Sequence, residues 1–66
     1  MIAFMISDMT CQHCVSTITQ VVREIEPTAH VRVDLANRRV DIDGEALDAE
    51  ALREAIAEAG YTVSVV

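Results

Sequence analysis

The sequence predicts an α+β sandwich in which four antiparallel strands form one sheet and two helices pack on one face of it. Three observations carry this expectation. Four short stretches alternate apolar with polar residues. Two longer stretches between them repeat their apolar residues at helical spacing instead. The six follow one another as strand, helix, strand, strand, helix, strand, which is the split βαβ arrangement. A three-helix bundle has no use for the alternating stretches.

The first strand is "IAFMIS", with Ile2, Phe4 and Ile6 on one side. The first helix is marked by Cys14, Ile18, Val21, Val22 and Ile25, and Pro27 ends it a residue or two earlier. "HVRVDL" turns Val31, Val33 and Leu35 one way and His30, Arg32 and Asp34 the other, which is a half-buried strand. "ANR" is a turn, and "RVDID" alternates again with Val40 and Ile42 inward, so the two strands form a hairpin that Gly44 closes. Asp48 caps a second helix by accepting from its free N–H groups. Leu52, Ala55, Ile56 and Ala59 make its apolar stripe, and Gly60 stops it because glycine tolerates positive φ. "YTVSVV" is the last strand, with Tyr61, Val63 and Val65 on one face. The expected fold is thus a ferredoxin-like βαββαβ sandwich over residues 1–66, a single domain.

Composition narrows the function classes. A chain of 66 residues that is 52% hydrophobic can build one aliphatic core and is not disordered. Eleven acids face five arginines and no lysine, for a net charge of −6. Nothing resembles a basic stripe, so nucleic acid and anionic membranes are poor partners. A protein partner with a basic docking face suits the charge, although solubility alone also accounts for it. "MIAFMIS" lacks the basic region and cleavage site of a secretory signal, and no apolar run spans a bilayer. The expected location is the reducing cytoplasm, where free thiols persist.

The chemistry lies in "DMTCQHC", which holds both cysteines, Cys11 and Cys14. A disulfide staple across two residues closes a tiny loop and removes little chain entropy. A thioredoxin-like redox pair is a second reading of C-x-x-C, but the chain is short, no aromatic flanks the pair, and the one proline, Pro27, sits at a helix end instead of opposite the thiols. The third reading is metal capture. Cys11 is expected in the loop after the first strand and Cys14 at the start of the first helix, whose N-terminus favours thiolates, and soft sulfur selects Cu(I) first, with Zn(II) and Hg(II) as contenders. A structural Zn(II) site wants about four ligands. Here His13 is an accessory third ligand at most and Asp8 a fourth. A two-sulfur ion on an exposed loop accepts a third sulfur from elsewhere and leaves by stepwise exchange. That is a carrier, not an enzyme.

"MTCQHC" after a strand, "VRVDLANRRVDI" and "ALREAIAEAGYTV" together resemble the heavy-metal-associated domain family of copper chaperones and copper-transporting ATPases, across essentially the whole chain. The resemblance implies Cu(I) delivery by thiolate exchange, with Cys11 and Cys14 as ligands. It implies a partner such as the metal-binding domain of a copper-transporting ATPase or a copper-responsive regulator. The chain is expected as a monomer that can pair around shared copper. Met9 matches a family methionine that packs inward and tethers the loop. Tyr61 matches an aromatic near the metal loop in bacterial chaperones. The opening Met1 and the lack of a linker after Val66 favour a free-standing bacterial protein over an excised ATPase domain. Asp8 departs from the glycine frequent in the family. Its carboxylate opposes thiolate formation, or serves a harder divalent ion and keeps zinc in play, or points to solvent.

Overall fold

The computed structural model describes residues 1–66 as six elements. They are β1 (Ile2–Ile6), α1 (Gln12–Ile25), β2 (His30–Asp34), β3 (Arg39–Asp43), α2 (Ala49–Glu58) and β4 (Val63–Val65). The sheet order is β2-β3-β1-β4, with every neighbouring pair antiparallel. This is the expected ferredoxin-like fold.

Register follows the alternation. Phe4 faces Val40 and Ile2 faces Ile42 across β1 and β3, and Ile6 faces Val63 across β1 and β4. Paired residues share a sheet face, so these side chains collect on one side. Ile18 and Val22 of α1 and Leu52 and Ile56 of α2 are buried against that same side, together with Ala29 and Met9. One core therefore serves both helices and one sheet face, and no buried residue is polar or charged. Phe4 is the only aromatic in it, and its burial contributes about 1.5–3 kcal/mol before entropy is counted.

The opposite sheet face carries charge. His30 pairs with Asp43, Arg32 with Asp41 and Asp34 with Arg39 in the β2–β3 register. Arg39 Nε also donates to Asp41 Oδ1 at 2.8 Å. His30 is exposed there, as the alternation predicts.

The turns are built locally. Between β2 and β3, Asp34 accepts from the Asn37 backbone N–H and side-chain amide, and Arg38 takes φ 55°. Asp48 Oδ1 accepts from the N–H groups of Glu50 and Ala51, which is the expected cap of α2. Gly60 has φ 103° and its N–H bonds to the Ala57 carbonyl, so α2 ends in the left-handed residue the sequence proposes.

Three expected inward positions turn out exposed. Ile25 is the last residue of α1 and Ala59 follows the end of α2, both at helix ends that run past the core. Val65 lies on β4, an edge strand with a neighbour on one side only, and is 62% exposed. The last strand is also shorter than expected. It begins at Val63, and Tyr61 stands outside it, on the approach to the sheet.

Candidate metal centre

The thiol loop is short because both of its ends are fixed. β1 stops at Ile6, and the Met9 N–H bonds back to the Ile6 carbonyl at 3.1 Å. Met9 itself is fully buried, the inward tether that the resemblance implies. Two residues later Cys11 is the N-cap of α1, with extended backbone. The helix starts at Gln12, earlier than expected. Cys14 is therefore its third residue rather than its first. The cause is the Val15 N–H, which bonds to the Cys11 carbonyl at 3.3 Å and closes the first turn around Gln12 and His13. The two sulfurs end 3.4 Å apart as free thiols, Cys11 exposed and Cys14 half-buried.

The electrostatics favour sulfur anions. No side chain caps α1, and no acidic residue stands in its first turn. Its leading N–H groups and the positive end of its dipole are left to whatever sits at Cys11 and Cys14. The Cys14 thiol is held below its ordinary pKa, mainly by a backbone hydrogen bond from Thr10, then by the Cys11 sulfur and the Tyr61 hydroxyl. Tyr61 is half-buried against the core. Its hydroxyl is pushed up in pKa chiefly by Cys14, because the sulfur attracts the hydroxyl proton and so holds it in place. The tyrosine is thus beside the anchored sulfur, although no hydrogen bond of standard geometry joins them.

Asp8 neither joins the sulfur pair nor points free into solvent. Its carboxylate accepts from the Thr62 N–H, at 2.9 Å to Oδ1 and 3.2 Å to Oδ2, and from the Thr62 hydroxyl at 3.3 Å. The Thr62 backbone bond is also the main cause that holds this carboxyl below its ordinary pKa. Thr62 is the site-adjacent residue that sequence reasoning missed. It lies 54 residues from Asp8 in the chain, and no local pattern links the two. His13 is exposed on the first turn of α1, where its carbonyl accepts from the Thr17 hydroxyl. No three His, Cys, Asp or Glu side chains converge anywhere in the chain. The centre is a pair of sulfurs, with an imidazole nearby in sequence.

A pair of this kind can do limited chemistry. A tetrahedral ion with bonds of about 2.3 Å wants its sulfurs about 3.8 Å apart and two further ligands, which this chain does not gather. A linear ion needs nothing else, but its sulfurs stand about 4.6 Å apart, two bonds end to end. From 3.4 Å the pair must then open by roughly 1.2 Å. Cys14 is held by helix and core, so the exposed Cys11 is the sulfur free to move.

The family model of the heavy-metal-associated domain matches residues 3–62. The chain is 44% identical over 57 residues to the COP-associated protein of Helicobacter felis, covering 85% of this chain and 86% of that one. It is 31% identical over 61 residues to the copper chaperone CopZ of Bacillus subtilis, covering 89% and 88%. Among solved structures it is similar to a gold binding protein, with a TM-score of 0.92 at 35% identity and full coverage of both chains. Matched over most of its length by that family model and by a relative at 44% identity, the chain belongs to the heavy-metal-associated domain family.

Proposed function

We propose that this chain is a Cu(I) chaperone, a carrier and not a catalyst, which holds its ion between Cys11 and Cys14 and passes it on by thiolate exchange. One observation carries the reading. Two free sulfurs lie 3.4 Å apart at an uncapped helix N-terminus, and no third ligand converges on them. Once Cys11 swings open, such a pair satisfies a linear soft cation by itself, whereas it leaves a harder ion short of ligands. The name of the CopZ relative supports copper as the cargo.

The exchange follows from the unequal sulfurs. Cys14 keeps hold while the exposed Cys11 yields its place to an incoming thiolate. The ion passes through three-coordination, and one metal–sulfur bond breaks for each that forms. The net charge of −6 favours a receiver with a basic face, such as the metal-binding domain of a copper-transporting ATPase or a copper-responsive regulator. The reading places a single domain over residues 1–66 in the cytoplasm, where thiols stay reduced. In the structure itself, no helix is long and apolar enough to cross a membrane. Met9 and Tyr61 support the loop without ligating. His13 is an accessory donor, most useful where two chains share copper.

Likeness to a gold binding protein favours a second cargo of the same linear type, Au(I) or Hg(II), over zinc. The deciding experiment titrates the reduced protein with Cu(I) under a competing chelator and with Zn(II) in parallel. X-ray absorption on the copper form then counts its sulfurs. Retention of Cu(I) by two sulfurs supports the reading. Preference for Zn(II) in a four-ligand shell rejects it.

A further inference from the structure

We propose that Asp8 is a positioning residue, whose carboxylate clasps Thr62 so that the thiol loop and the Tyr61 segment move as one piece. The inference rests on the carrier reading and assigns to its site a residue that is not a ligand. It starts from where the chain leaves the sheet. The β1–β4 ladder ends with Ile6 opposite Val63. Beyond it the Ser7 N–H still donates to the Thr62 carbonyl at 3.3 Å. The chain then bends so that Met9 enters the core, and no backbone carbonyl is left to take the Thr62 N–H. The Asp8 carboxylate takes it instead, at 2.9 Å, and accepts the Thr62 hydroxyl as well. Both backbone polar groups of Thr62 are thereby held by two consecutive residues of the thiol loop.

The clasp has two consequences. Tyr61 is covalently next to Thr62, so its ring is placed against Cys14 from the Asp8 side. Both oxygens of the carboxylate accept from Thr62, which ties the one acidic group in the loop to the approach of β4. Groups hydrogen-bonded directly to a metal ligand typically cost about 10–100-fold in affinity when lost, and Asp8, one step further out, belongs at the lower end.

The test compares wild type with Asp8→Ala and Asp8→Asn. Asparagine keeps an oxygen that accepts from Thr62, and alanine keeps none. The chain has one tyrosine and no tryptophan, so its emission reports Tyr61 alone. In Asp8→Ala the change in Tyr61 emission on Cu(I) loading should fall sharply, and release of Cu(I) to a chelator should quicken about tenfold, the lower end of that range. Asp8→Asn should restore most of both. A lower melting temperature in Asp8→Ala with unchanged emission response and release would reduce Asp8 to a structural residue and overturn the proposal. Equal impairment in Asp8→Asn and Asp8→Ala would overturn it too. Hydrogen exchange of the Thr62 amide in the metal-free proteins separates the two ideas. Loss of protection only in Asp8→Ala upholds the clasp even if wild type holds no copper, and equal protection in all three sinks it even if copper binds.

Discussion

The two helices of this small domain begin in opposite ways. α2 starts with Asp48, whose carboxylate accepts from two of the first free N–H groups, and it has Glu50 in its first turn. Arg53 then bonds Glu50 at 2.7 Å. α1 starts with Cys11, which caps nothing, and has no acid in its first turn. Charge and hydrogen bonds at the start of α2 are satisfied within the chain. At the start of α1 they are left unsatisfied, next to two sulfurs 3.4 Å apart. The same physics of free N–H groups and a dipole end serves stability in one helix and anion holding in the other. The difference shows that α1, unlike α2, forgoes a stabilising cap at the very turn that carries the two thiols.

That contrast can be broken from either side. Replacing Cys11 or Cys14 by Ser should cost at least about 100-fold in Cu(I) retention, since a hard hydroxyl replaces a soft thiolate, and should barely change thermal stability. Chelator competition with a melting curve checks both. Asp48→Ala should do the reverse. It removes the cap of α2, costs about 1 kcal/mol, and lowers the melting temperature by about 4–8 °C with Cu(I) retention unchanged. If it weakens copper as well, the two helix starts are not independent. Gln12→Glu sharpens the comparison by giving α1 the first-turn acid that α2 has. Helix stability should rise by about 0.3–1 kcal/mol, while the new charge beside two thiolates weakens Cu(I) about threefold. His13→Ala should change retention less than about twofold by the same competition, because an exposed side chain outside the sulfur pair adds little. An effect on the scale of the cysteines would make His13 a full ligand.

Much of this was legible in the sequence because the causes are local. The alternation of Ile2, Phe4 and Ile6 and of Val40 and Ile42 marks central strands, and all of these but the half-buried Ile2 are sheet residues with no exposure. Asp48 and Gly60 act on groups two or three residues away, so cap and stop could be read by eye. Cys11 and Cys14 stand out by type and spacing. The misreadings share one cause, since periodicity says which way a side chain points but not where a helix, a strand or the core beneath it begins and ends. Val65 follows the apolar period yet lies on an edge, and Tyr61 follows it yet lies outside the strand. Thr62 had no sequence mark at all. Its part is played by backbone groups, which every residue carries, and its partner is at the other end of the chain.

Met9 has no exposed surface, and Cys11 follows it by two positions. The stem of the loop is nailed into the domain that close to the exposed thiol. Only Thr10 remains as a pivot, and a leash one residue long cannot swing far. Handing over the ion thus asks for a small local flex and no rearrangement of the body. If the chain carries its ion as proposed, the receiver meets a body that keeps its shape while only the tip of the thiol loop gives way.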